Sequence, residues 1–156
     1  MLFRSIQGLD LIGRKLPKDG GRAIQAFFAE VQGYVKAHGN EAMKPYVAPL
    51  TAALGHLQQA TMWLMQNAMG KPDNGGAAAT DYLGLFGLCA LGYMWCRMAE
   101  TAQAKIAAGN GVAERMKGKL VAGRFFMERM LPETATHLAR IQAGAGSLME
   151  LAAEAF

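Results

Sequence analysis

Only two cysteines and three histidines occur in the 156 residues, and that scarcity closes off the usual staples. Cys89 and Cys96 lie seven residues apart in what reads as one helix. That is about 10 Å along its axis, too far to bridge each other. They are expected to be reduced packing residues, which suits a cytoplasmic chain. His38, His56 and His137 lack His-Glu-x-x-His spacing and the cysteines form no Cys-x-x-Cys pair, so no metal-ligating residue is assigned. Charge is sparse at 18%, which argues against a disordered tail. Period-two alternation is nowhere sustained, which argues against sheet. No basic leader with a hydrophobic core and a small-residue cleavage site opens the sequence, so secretion is not expected.

What remains is a hydrophobic fraction of 52%, with 11 methionines and 19 glycines against five prolines. Such a chain is about one domain and buries roughly two thirds of its unfolded surface. The spacing predicts an all-α fold, an antiparallel bundle of about five to six helices.

The first run carries Leu2, Ile6, Leu9, Ile12 and Leu16 at helical spacing, with Asp10 and Arg14 as an i,i+4 pair and no capping residue before it. Pro17-Lys18-Asp19-Gly20-Gly21 ends it, and Asp19 is placed to cap the next helix. That helix, about Arg22 to Ala37, shows Ile24, Phe27, Phe28, Val31 and Val35, with Gly39 expected in a left-handed terminal position. A third helix follows Pro45 and Pro49, which are tolerated near a helix start but not inside one. Its stripe is Val47, Leu50, Leu54, Leu57, Leu64 and Ala68, widened by Trp63 and Met65. The segment from Gly70 to Gly76 reads as a loop, expected to be the most mobile of the chain.

A fourth run, about Ala77 to Ala108, is uncharged from Tyr82 to Cys96. Asp81 and Arg97 close that stretch below the roughly 20 residues a bilayer needs, so a helix buried on most sides is expected and no membrane span. Gly84, Gly87, Ala90 and Gly92 are read as points of close helix approach. After Gly109-Asn110-Gly111 a fifth helix runs from about Val112 to Leu131, showing Met116, Leu120, Met127 and Leu131, and Pro132 kinks or restarts it. The last run, Glu133 to about Ala155, carries Leu138, Ile141, Ala145, Leu148 and Ala152.

Chemistry is hard to find against this pattern. Cys89 sits in an apolar run that disfavours its thiolate, and no histidine is near it in sequence. His137 four residues after Glu133 reads as a helix-surface pair. Gly20-Gly21-Arg22 lacks the Gly-Lys-Ser/Thr ending of a P-loop, and Gly144-Ala145-Gly146 lacks a third glycine and a preceding strand. Met62, Met65, Met69, Met94, Met98, Met127 and Met130 are expected to fill the core rather than to line an acyl-chain groove. No catalytic or cofactor-binding residue is assigned. The net charge of +4 permits an anionic partner, but Arg14, Lys15, Lys18 and Arg22 are interrupted by Asp19 and read as a solvated surface.

The stretch from Ile6 to Ala23 (IQGLDLIGRKLPKDGGRA) resembles the corresponding helix of acyl-CoA dehydrogenases of the C-terminally extended branch, which includes enzymes for 3-methylmercaptopropionyl-CoA. Asp81-Tyr82-Leu83, the stretch from Lys119 to Glu133 and that from Ile141 to Met149 are similar to later helices of the same branch, so the resemblance runs from residue 6 to 156. It implies FAD, an acyl-CoA substrate and electron-transfer flavoprotein as partners of the parent enzyme, and homo-oligomer contacts. It also implies a Tyr-Glu-Gly-Thr motif whose Glu, the catalytic base, would fall at position 1. Met1, Leu2 and Phe3 stand where Glu, Gly and Thr belong.

The resemblance thus divides the chain into residues 1–16, a remnant of the last helix of the catalytic bundle, and residues 17–156, the C-terminal extension. The bundle that would cover Leu2, Ile6 and Leu9 would precede them, and the isolated chain is expected to be inactive. The alternative is a free-standing helical module for nucleic acid. Its closest support is Arg115, Lys117, Lys119, Arg124 and Arg129, diluted by Glu114 and Glu128, so nucleic acid is not the expected partner.

Overall fold

The most apolar run becomes the longest helix, and the other helices gather on it. A computed structural model describes residues 2–109 and 113–155, and among these there are α-helices and no strand. The helices are α1 (Leu2–Asp10), α2 (Arg22–Ala37), α3 (Lys44–Asn67), α4 (Pro72–Ala107), α5 (Ala113–Phe125) and α6 (Glu133–Ala143). A π-helical turn, Leu11–Lys15, continues α1, and another, Phe126–Met130, continues α5. The motif position at Met1, the expected turn at Asn110-Gly111 and the helix start at Val112 lie outside the described residues, as does the side chain of Leu2.

Helix α4 packs against α1, α3, α5 and α6. Cross-contacts give the directions. Along α4, the Tyr82 hydroxyl meets Thr61 Oγ1 at 2.8 Å and Gln103 Nε2 donates to the Ala42 carbonyl at 2.9 Å, so α3 runs antiparallel. Asp81 meets His137 and Asn74 meets Ala145, so α6 is antiparallel too. Helix α2 runs parallel to α4 and is joined to it by side chains. Phe27 stacks on Phe86 at 5.0 Å, Tyr93 donates to Glu30 at 3.0 Å and Tyr34 to Glu100 at 3.0 Å.

The core takes Val31, Leu50, Leu57, Tyr82, Leu85, Cys89, Cys96 and Ile141 out of solvent. Each such large side chain contributes about 1.5–3 kcal/mol. Over 18 residues α4 reaches a mean hydropathy of 1.2, enough by length and composition to cross a membrane. It serves instead as the packing centre, though not buried on most sides as expected. Only 39% of that window is buried, and Leu91, Met94 and Met98 face outward.

Several expectations are corrected. Asp19 does not cap α2: it adopts φ 53° and pairs with Arg22, and Gly21 at φ 79° occupies the cap position without a side-chain bond. Gly39 is not left-handed; α2 ends at His38, and Asn40 Oδ1 accepts from the Met43 amide at 3.0 Å. Pro49 lies inside α3, because the helix begins at Lys44. The carbonyl that loses its donor is that of exposed Pro45, open to water.

The supposed loop from Gly70 to Gly76 is mostly the first turn of α4, with Pro72 at its start. Asn74 pins it, donating to the Asn67 carbonyl at 3.1 Å and accepting from the Ala145 amide at 3.0 Å. The last helix stops at Ala143 rather than near Ala155, because Gly144 turns out at φ 68°, ψ −161°. Leu148 is consequently 68% exposed.

Close backbone approach belongs to Gly8, not to the glycines of α4. A Cβ on Gly8 would lie 2.5 Å from the Ala79 carbonyl oxygen. Gly84 and Gly92 face side chains, and Gly87 faces open space. The packed face of α1 is therefore that of Gly8, and Ile6 and Leu9 remain 62% and 50% exposed, as expected for an uncovered face.

Gly8→Ala is expected to destabilise the chain by about 1–3 kcal/mol, since backbone cannot yield. Gly87→Ala is expected to stabilise it by about 0.5–1 kcal/mol, as an unobstructed glycine inside a helix. Urea titration of both variants checks the contrast.

Burial pushes the Cys89 and Cys96 thiols from 9.0 up to about 12, and the Tyr82 hydroxyl from 10.0 to about 12. Above pH 9 the unfolded chain loses these protons while the folded chain keeps them. Their contribution to stability is thus full below pH 9 and falls through pH 12. Thermal melts across that range are expected to show a steady loss, and a flat profile would contradict the burial.

Candidate functional site

An apolar groove of about 1180 Å³ lies between the end of α1, the start of α2 and one side of α3. Leu9, Ile12 and Leu16 come from α1, its π-helical continuation and the residue that ends it, Ile24 and Phe28 from α2, Met62 and Met65 from α3, and Met69 from the bend after it. Pro72, Gly75 and Gly76 close one end. The groove exists because the chain turns sharply after Leu16. Asp19, Gly20 and Gly21 all have positive φ, which swings α2 away from α1 and leaves a trough between them.

No charged side chain lines it. Its polar groups are Gln25, Gln58, Gln66 and Thr61, and the Thr61 hydroxyl is already spent, donating to the Leu57 carbonyl at 2.7 Å while accepting from Tyr82. The groove therefore holds no proton donor or acceptor of catalytic character. Nor does it fit FAD: a flavin's pyrophosphate and ring edge need charged or densely hydrogen-bonding walls. These walls are leucine, isoleucine, phenylalanine and methionine.

The methionines reverse an expectation. Of the seven read as core filling, only Met127 is buried. Met62, Met65 and Met69 are 62%, 61% and 88% exposed; Met62 and Met65 sit about a third of a turn round α3 from the buried Leu57 and Leu64, and Met69 follows the helix end. The signal was present as an i, i+3, i+7 spacing beside the leucine stripe. A helix apolar on two faces needs cover twice, and only one of these faces is covered.

The histidines are interhelical posts. His137 does not pair with Glu133; its Nδ1 lies 2.7 Å from Asp81 Oδ1 on α4, and Arg140 approaches the same oxygen at 3.5 Å. His38 stacks on Tyr34 at 4.0 Å and reaches Glu100 at 3.1 Å. His56 Nδ1 is 3.0 Å from Thr134 Oγ1, which itself donates to the Leu131 carbonyl at 2.8 Å. Thr134 must then accept from His56 Nδ1, and His56 also lines a second cavity of about 220 Å³. No acid or nucleophile lines that cavity. Among the described residues, no three His, Cys, Asp or Glu side chains converge as metal ligands.

Several basic residues are paired among the described residues. Arg14 and Lys15 both reach Asp10, whose carboxyl the Arg14 bond holds below the usual range. Lys117 lies 2.8 Å from Glu114, which it likewise holds low, and Arg124 lies 3.7 Å from Glu128. On the same stretch Arg115, Lys119 and Arg129 have no ion pair among the described residues.

Comparison with known proteins places the sequence in a family. The family described as "Acetyl-CoA dehydrogenase C-terminal like" matches residues 27–152. Over 148 residues, 93% of the chain, the sequence is 29% identical to the 3-methylmercaptopropionyl-CoA dehydrogenase of Ruegeria pomeroyi. The chain spans only 25% of that relative's length. The family match covers well over half of the chain, and the chain therefore belongs to the acetyl-CoA dehydrogenase C-terminal-like family.

Proposed function

We propose that the chain serves as the C-terminal helical domain of an FAD-dependent acyl-CoA dehydrogenase and that its part in that enzyme is structural. In such an enzyme a carboxylate removes the α-proton of an acyl-CoA thioester while the β-hydride passes to FAD, which electron-transfer flavoprotein reoxidises. The base and the flavin site belong to polypeptide outside the matched quarter. Residues 1–16 continue the last helix of the catalytic bundle, and residues 17–156 form the extension behind it.

The observation that carries this reading is where the exposed apolar surface lies. Ile6, Leu9, Met62, Met65 and Met69 are all at least half exposed and surround or line the groove beside α1. Leu91, Met94 and Met98 form a second strip along α4, each between 38% and 52% exposed. Isolated soluble domains rarely leave apolar patches of this kind uncovered. The first patch adjoins the helix that resembles the catalytic bundle, and it supports a role in covering that bundle. The second supports a subunit contact in a homo-oligomer.

The purified chain is expected to show no flavin absorbance band and no acyl-CoA-dependent dye reduction. Either signal would overturn the assignment of a structural role.

A further inference from the structure

The outward face of α4 has a spacing of its own. Gly87, Leu91, Met94, Met98, Thr101 and Lys105 are exposed and follow one another in steps of four, three, four, three and four residues. Thr80, seven residues before Gly87, is exposed in the same phase. This is the 3.5-residue period of a helix face that lies along a second helix. Among the described residues no helix covers it. Tyr93 on one side of the face turns to Glu30 of α2, and Trp95 on the other packs on Phe126, so the face stands between α2 and the end of α5. Leu91, Met94 and Met98 remain 52%, 42% and 38% exposed, and a Cβ on Gly87 would meet nothing within 4 Å.

The order of large and small residues along this face is complementary to itself. With two copies antiparallel about a two-fold axis between Leu91 and Met94, Leu91 of each meets Met94 of the other, Met98 meets Gly87, and Lys105 meets Thr80. The flexible thioether of Met98 then fills the space that Gly87 leaves open. A parallel pairing would set Gly87 on Gly87, a void, and Lys105 on Lys105, a like-charge contact. No charge from Tyr82 to Cys96 opposes the approach at the centre. We infer that α4 pairs with α4 of a second copy, antiparallel, with Met98 of each copy seated over Gly87 of the other. The stretch from Thr80 to Lys105 is about 38 Å long and one helix, about 10–12 Å, wide. Its footprint falls short of the roughly 800 Å² per partner of a standard interface, so the pair is weak and reversible. The inference rests on the subunit contact proposed above for this strip and adds its direction and register.

Sedimentation of the whole chain is expected to show a monomer when dilute and a dimer with a dissociation constant on the order of 100 µM. Leu91→Glu is expected to weaken the dimer by about tenfold or more, since it sets a carboxylate against Met94 of the other copy. The thermal melt of the dilute variant is expected to stay in place, because Leu91 is 52% exposed. Register is read with a short bis-maleimide, to which the buried Cys89 and Cys96 are inaccessible. A mixture of the Gly87→Cys and Met98→Cys variants is expected to cross-link. Neither variant alone is expected to do so, since like positions stand about 16 Å apart along the antiparallel pair.

Cross-linking of Met98→Cys with itself would overturn the antiparallel direction and leave the contact standing. A dimer unmoved by Leu91→Glu would place the contact elsewhere, as on the groove beside α1, and overturn the pairing through α4. A chain that stays monomeric at millimolar concentration would remove the subunit contact together with the pair, whether Leu91 then binds phosphatidylcholine vesicles or nothing. None of these outcomes bears on flavin absorbance or dye reduction, so this inference and the structural role fail separately.

Discussion

A helix of 36 residues with an uncharged run at its centre cannot stand in water, and the domain is organised by the need to cover α4. Four helices pack on it, and α2 adds an aromatic and hydrogen-bonded strut along it. Tyr82, Leu85, Cys89 and Cys96 lie on one side of α4 and lose all contact with solvent. This burial holds both thiols protonated far above their ordinary range. Cover is incomplete, and Leu91, Met94 and Met98 of α4 face outward.

The polar contacts decide where each element sits on α4 more than how strongly it is held. Asn74 ties the end of α3, the start of α4 and the exit of α6 through one amide side chain. Asp81 receives both His137 and Arg140 from α6. Gly8 lets α1 reach the Ala79 carbonyl, and the left-handed turn after Leu16 then carries α2 away, opening the groove. The groove is thus a consequence of two local features, a helix held too close for any side chain and a turn built from three successive positive-φ residues.

Much of this was legible in the sequence. Helical period without alternation predicted an all-α fold, and the stripe of Val47, Leu50, Leu54, Leu57 and Leu64 is the buried face of α3. The family was legible in packing motifs at both ends of the chain. What failed were positions where tertiary contacts override local signals. Pro72 and the glycines after it read as a loop, yet proline is compatible with a helix start and Asn74 holds that turn in place. Leu148 continued the period of the last run, but Gly144 redirects the chain toward Trp63 and Asn74. The methionines matched a core pattern, and periodicity cannot tell a covered apolar face from an exposed one.

Helix α4 is expected to be the last element to open and α1 with its following turn the first. Native-state hydrogen exchange of the whole chain tests this ordering directly. Amides from Tyr82 to Cys96 are expected to exchange only through global unfolding, with protection equal to the stability from urea titration, while those from Ile6 to Gly21 exchange earlier through local opening. Exchange of the α4 amides as fast as those of α1 would contradict a domain built around that helix.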